Sequence, residues 1–126
     1  MQAPLTPDDL LIHAVATRIF KEIPVHMTAN LKLQHLGIYT VISILSRRSE
    51  APTTNNIANV TGIHPSQVGR MANLLAEYGL VERSVIHASH GKGRLNLYIP
   101  ITDIRRIANF TPLRTTPKAR KKAASD

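Results

Sequence analysis

A mostly α-helical chain with one small antiparallel β-hairpin is what the sequence predicts, and three observations on residues 52–101 predict it. A short amphipathic stretch and a longer one follow each other with only a few residues between them. Gly62 stands between the two, and His64-Pro65-Ser66 reopens the chain as a helix. Two β-prone runs then flank a glycine-rich, basic tip. Helix, tight turn, helix and two-stranded ribbon in that order form the pattern of a winged helix-turn-helix, whose second helix normally enters a DNA groove.

Residues 1–5 should be loose. Thr6-Pro7-Asp8-Asp9 is a helix start: a capping hydroxyl, a first-turn proline and two carboxylates at the positive end of the dipole. The helix runs to about Glu22, and Ile23-Pro24 ends it. Leu11, Ala14, Val15, Arg18 and Ile19 share one stripe, with Leu10 and Phe20 at its margins. Leu10, Leu11, Val15, Ile19 and Phe20 are too apolar for a free surface helix. They pack either on their own domain or on a second copy, and the expectation is a homodimer through the N-terminal helices.

The next helix begins near Thr28 or Leu31 and runs to about Arg48. Leu33, Leu36, Ile38, Tyr39, Val41, Ile42, Ile44 and Leu45 make it apolar on most sides. Such a helix wants burial on most sides, which predicts the central core helix, with a second subunit as a further neighbour. Arg47-Arg48 offset its negative dipole end. Residues 49–52 form a linker.

The first helix of the pair covers about residues 53–61, with Thr53 or Thr54 as cap and Ile57, Ala58 and Val60 as its apolar stripe. Gly62 supplies the freedom to adopt positive φ at the bend. In the following helix Pro65 sits at the first position, where its missing donor costs nothing. His64 is a poor cap beside Ser or Asp, and Gly79 is a good C′ residue. At about 100° per residue, Val68, Met71, Ala72, Leu75 and Tyr78 fall on one side, and Ser66, Arg70 and Asn73 on the other. Gln67 lies at the border. Arg forks onto guanine, and Asn or Gln onto adenine, when such a face enters a major groove. An ordinary amphipathic helix would leave the same face solvated; the flanking elements favour DNA.

Residues 80–86 have strand character, and residues 94–99 alternate polar and apolar with period two, the pattern of a hairpin with one face buried. The tip holds two glycines, Lys92 and Arg94, plus His87 and His90, which suits a phosphate or minor-groove contact. The expected DNA-binding set is therefore Thr54, Asn55, Ser66, Gln67, Arg70, Asn73, Lys92 and Arg94. After Pro100, Thr102 can cap a short helix with Ile104 and Ile107 inward. Residues 1–110 form one winged helix-turn-helix domain with an N-terminal helical extension. Residues 111–126, with Lys118, Arg120, Lys121 and Lys122, read as a basic disordered tail.

Residues 53–101 resemble the winged-helix core of MarR-type transcriptional regulators. The resemblance lies in Ile57-Ala58, Thr61-Gly62-Ile63, Ser66, Val68, Arg70, Leu75 and the run Gly79-Leu80-Val81-Glu82-Arg83. Tyr39-Thr40-Val41-Ile42-Ser43-Ile44-Leu45 is similar to the family's preceding helix, so the likeness spans roughly residues 31–102. It implies a dimeric, operator-binding regulator, and relatives of that kind often bind small aromatic acids. No residue here demands such an effector. The chain departs from the family at Ser89-His90-Gly91-Lys92-Gly93 in place of the usual acidic and arginine-rich wing tip. Leu74 replaces a polar residue, and the segment after the wing is short.

Sixteen Lys and Arg against eight Asp and Glu give a net charge of +8, which favours a polyanionic partner. With no cysteine there is no disulfide, no thiolate metal site and no thiol switch. The carboxylates are scattered and the histidines lack ligand spacing, so neither an enzyme nor a metal or cofactor site is expected. Gly91-Lys92-Gly93 lacks the strand-to-helix context of a phosphate loop. No signal peptide or long apolar run appears, which predicts a cytoplasmic protein away from membranes. The expected activity is sequence-specific binding of double-stranded DNA as a homodimeric transcription regulator. Two other uses of the module stay open: a replication, partition or mobile-element factor, and a winged helix that serves only protein–protein assembly.

Overall fold

The computed structural model describes residues 4–23, 27–87 and 94–111. It is mostly helical with one two-stranded antiparallel hairpin. The helices are α1 (Pro7–Thr17), α2 (Ala29–Arg47), α3 (Thr54–Thr61), α4 (Pro65–Glu77) and α5 (Ile104–Asn109); the strands are β1 (Val81–His87) and β2 (Arg94–Pro100). The wing-tip residues 88–93 and the tail from 112 onward, to which the sequence assigned a basic contact and disorder, lie outside the described residues.

Local chemistry sets the helix starts. The Thr6 hydroxyl accepts from the Asp9 N–H, and the Asp9 carboxylate accepts from the Thr6 N–H, a reciprocal capping box. Hydrogen bonding to the Thr6 backbone N–H, the larger effect, and to the Thr6 side chain holds the Asp9 carboxyl below its usual range. Thr28 and Thr53 cap α2 and α3 with the hydroxyl half of that arrangement, accepting from the Leu31 and Asn56 N–H groups. At α5 the cap is Asp103, not Thr102: its carboxylate accepts from the Arg105 N–H at 2.9 Å, so the helix starts one residue later than expected. Gly62 (φ 77°) and Gly79 (φ 76°) both take the left-handed conformation. Ser49 (φ 59°) does so without being glycine, ending α2 in a tight reversal.

α1 continues to Glu22, as expected, but its last turn, Arg18–Glu22, is π-helical. The wider turn lets adjacent Arg18 and Ile19 both face inward. The Arg18 guanidinium is buried and donates to the Ile107 carbonyl, to the Phe110 carbonyl at 3.1 Å and to Glu22 at 3.0 Å. It thereby satisfies carbonyls left open where α5 ends. Phe110 in turn lies over Gly79, where the chain leaves α4 for β1.

The core joins α1, α2, α3, α4, the base of the hairpin and α5 through Val15, Ile19, Ile38, Ile42, Ile57, Val68, Leu75, Leu80, Tyr98 and Ile107. Leu11, Val15 and Ile19 are thus used inside the chain, which corrects their assignment to a dimer face; Leu10 and Phe20 remain exposed. Val60 is exposed rather than part of the α3 stripe. α2 is central, packing on α3, α4 and β2, yet Leu33 and Ile44 stay in solvent.

In the hairpin Val81 pairs with Pro100 and His87 with Arg94. Only its base is buried. Tyr98 and Val81 enter the core, while Leu95 and Ile99 are exposed. Period two correctly separates two faces, but the side turned inward carries the tyrosine. Tyr98 is drawn in because residues 52–53 close against β2: the Tyr98 N–H donates to the Pro52 carbonyl at 3.1 Å, and Thr53 bridges Leu97.

Candidate nucleic-acid interface

α3 and α4 are joined by residues 62–64. The Gly62 N–H closes α3 on the Ala58 carbonyl at 2.8 Å, and the Thr61 hydroxyl accepts from the Ile63 N–H at 3.1 Å. His64 turns out to be the cap of α4. Its Nδ1 accepts the Ser66 N–H at 3.1 Å, with the Ser66 hydroxyl 2.9 Å away. An imidazole nitrogen thus replaces the usual oxygen cap.

Val68, Met71, Ala72 and Leu75 fix the rotation of α4 by burial. Ser66, Arg70 and Glu77 consequently form an exposed ridge on the opposite side. Among the described residues no ion pair holds the Arg70 guanidinium. Glu77 is the exposed residue at the C-terminal end of that ridge.

Asn73 departs from its expected role. Its Oδ1 accepts from the Tyr98 hydroxyl at 3.0 Å and from Arg83 at 3.3 Å. A carboxamide so engaged cannot present the donor–acceptor pair that reads adenine. It ties α4 to the hairpin instead. Burial, the largest effect, pushes the Tyr98 phenol above its usual range, against smaller opposing effects of Thr54, Arg83 and Asn96. The phenol therefore keeps its proton and serves as a donor. Arg83, exposed beside Asn73 at the base of the hairpin, is a cation that the sequence reading did not select. Its register opposite Tyr98 would have pointed to it.

The other expected residues divide. Asn55 is exposed on the first turn of α3; Thr54 is half-buried beside Tyr98. Gln67 is half-buried on the flank of α4 that faces the start of α2. There a cleft of about 490 Å³ is lined by Met27, Leu31, His35, Gln67, Arg70 and Leu74, among others. His35 Nδ1 lies 2.7 Å from the Leu31 carbonyl, and burial pushes its pKa down, so the ring is neutral and Nδ1 donates. Arg94 opens β2, but its side chain and the whole of Lys92 lie outside the described residues.

Among the described residues no group of three or more His, Asp or Glu is placed to hold a metal ion. Nor is any helix among them long and apolar enough to cross a membrane. No family model matches the chain, and no curated protein matches it.

Proposed function

We propose that this chain is a winged helix-turn-helix protein that binds double-stranded DNA by sequence and regulates transcription as a homodimer on an inverted repeat. The observation that carries the reading is the exposed ridge of Ser66 and Arg70 on the second of two turn-linked helices. Arg70 is exposed and among the described residues no ion pair holds it, in a chain of net charge +8. Such a ridge fits a major groove, where Arg70 can fork onto guanine O6 and N7. Gln67 stands at its edge. The exposed Asn55 and Arg83 are the phosphate contacts in this reading. Lys92 and Arg94 are the wing contacts in this reading. Promoter occupancy would then act sterically on polymerase. The likeness to MarR-type regulators supports the same reading.

Selection of bound sequences from a random duplex pool tests it. The expected result is an enriched inverted repeat with half-sites about 10 base pairs apart or a multiple of that. A pool that returns without enrichment overturns sequence-specific binding. One observation favours a second reading, assembly alone: Ile86, Leu95 and Ile99 leave an exposed apolar face on the hairpin. That reading predicts no salt-sensitive affinity for duplexes.

A further inference from the structure

α2 has 19 residues and two opposed apolar faces. His35, Ile38, Tyr39, Ile42 and Leu45 are buried against the domain. Roughly 180° away lie Leu33, Gly37, Thr40 and Ile44. Leu33 is 54% exposed and Ile44 46%. Residues 33–46 contain no Lys, Arg, Asp or Glu, in a chain with 16 basic and 8 acidic residues. A helix face left to water normally carries charge.

The two small residues are informative. A glycine inside a helix costs about 1 kcal/mol relative to alanine. Gly37 has no positive φ, and a Cβ there would meet nothing within 4 Å, so nothing described in this chain asks for a glycine. Thr40 spends its hydroxyl on the Leu36 carbonyl at 2.9 Å, which leaves no unpaired donor to obstruct apolar contact.

The order large, small, small, large, at spacings of four, three and four, reads the same from either end. We propose that a second copy of this chain docks here, α2 against α2, antiparallel about a two-fold axis between residues 38 and 39. Leu33 then meets the partner's Ile44, and Gly37 meets the partner's Thr40, each contact occurring twice as an isologous interface requires. The small pair at the centre lets the helix axes approach to about 8 Å. Residues 33–46 offer DNA no cation, the nearest being Arg47 and Arg48 beyond the end of the stripe, and the cation-rich residues 112–126 do not complement an uncharged face either. A helix of about 28 Å presents less than the roughly 800 Å² per partner of a standard interface, so the dimer is expected to depend on concentration. The interface lies on the side of α2 away from its core contacts, which include α4. It supplies the two-fold that the proposed DNA reading uses, but self-association is measured without DNA, so the two can fail separately.

Sedimentation velocity on the whole chain, from about 1 to 500 µM, is the test. The parent should move from 13.9 kDa toward twice that mass as concentration rises. Leu33→Glu or Ile44→Lys should each weaken the dimer by roughly a hundredfold. The double variant Leu33→Glu/Ile44→Lys sets opposite charges face to face and should return to within about tenfold of the parent. Far-UV circular dichroism confirms that each variant is folded. A parent that stays monomeric throughout, a dimer indifferent to both single changes, or a double variant no better than the singles overturns the interface.

Discussion

Gly62 and Gly79 have nearly the same backbone conformation, φ 77° and 76°, but different surroundings, and replacing each by alanine separates two physical effects. At Gly62 an added Cβ would meet nothing within 4 Å. Gly62→Ala therefore incurs only the left-handed penalty, about 1 kcal/mol. At Gly79 the new methyl would sit 2.6 and 2.7 Å from Phe110 Cδ2 and Cδ1, and closer still to Cγ. The ring would have to withdraw by more than about 1 Å to reach normal carbon contact. Its backbone carbonyl is held by Arg18 at 3.1 Å, and Gly79 itself is buried, so little room exists. Overpacking of this kind adds about 2 kcal/mol. Gly79→Ala should thus cost about 3 kcal/mol, lowering Tm by roughly 12 °C against roughly 4 °C for Gly62→Ala. Thermal melts followed by circular dichroism read both. In a Phe110→Ala background the penalty at Gly79 should fall to about that at Gly62, a coupling of about 2 kcal/mol. Equal costs at the two glycines, or a Gly79 cost untouched by removal of the ring, would refute the bracing of the α4–β1 joint by the C-terminal segment.

Arg70→Ala should weaken the preferred duplex by about 1–3 kcal/mol and broaden base preference, while Tm stays within about 2 °C because the side chain is exposed; competition titrations and melts measure the two. Tyr98→Phe removes one of the two donors to Asn73 and should cost about 1 kcal/mol in denaturant titration, because a half-buried carboxamide keeps only the longer bond from Arg83. The pKa of buried His35 lies below 6.5, chiefly through desolvation, so the unfolded chain binds its proton first. The resulting stability is present above pH 6.5 and is lost as pH falls from there toward the depressed folded value. It contributes at most about 1.4 kcal/mol per pH unit. Urea midpoints at about pH 7 and 5.5 should differ less in His35→Gln than in the parent.

Features governed by neighbours in sequence were legible. Thr6, Thr28 and Thr53 cap through N–H groups three residues away, and Gly62 and Gly79 take the conformation that Cβ sterics reserve for glycine. The side of α4 that turns inward followed from period alone. Distant partners were what the sequence hid. Asn73 looked like a base reader because Tyr98, 25 residues on, and Arg83, across the turn into β1, cannot be seen on a helical wheel. Leu11, Val15 and Ile19 looked surplus because α5, which covers part of α1, lies some 90 residues downstream. The outward Leu33 and Ile44 were masked by the opposite excess. A helix apolar on most sides reads as core, and only the packing distinguishes the face that the domain covers from the face it leaves open.

The ridge of α4 is tested most directly by titrating fluorescent duplex with the parent chain and with Arg70→Ala at about 50 and 200 mM salt. The expected result is binding by the parent that weakens at least roughly tenfold at the higher salt, with Arg70→Ala weaker at both and with less discrimination between sequences. No affinity at the lower salt, or an Arg70→Ala variant indistinguishable from the parent, would contradict a groove-entering role for this helix.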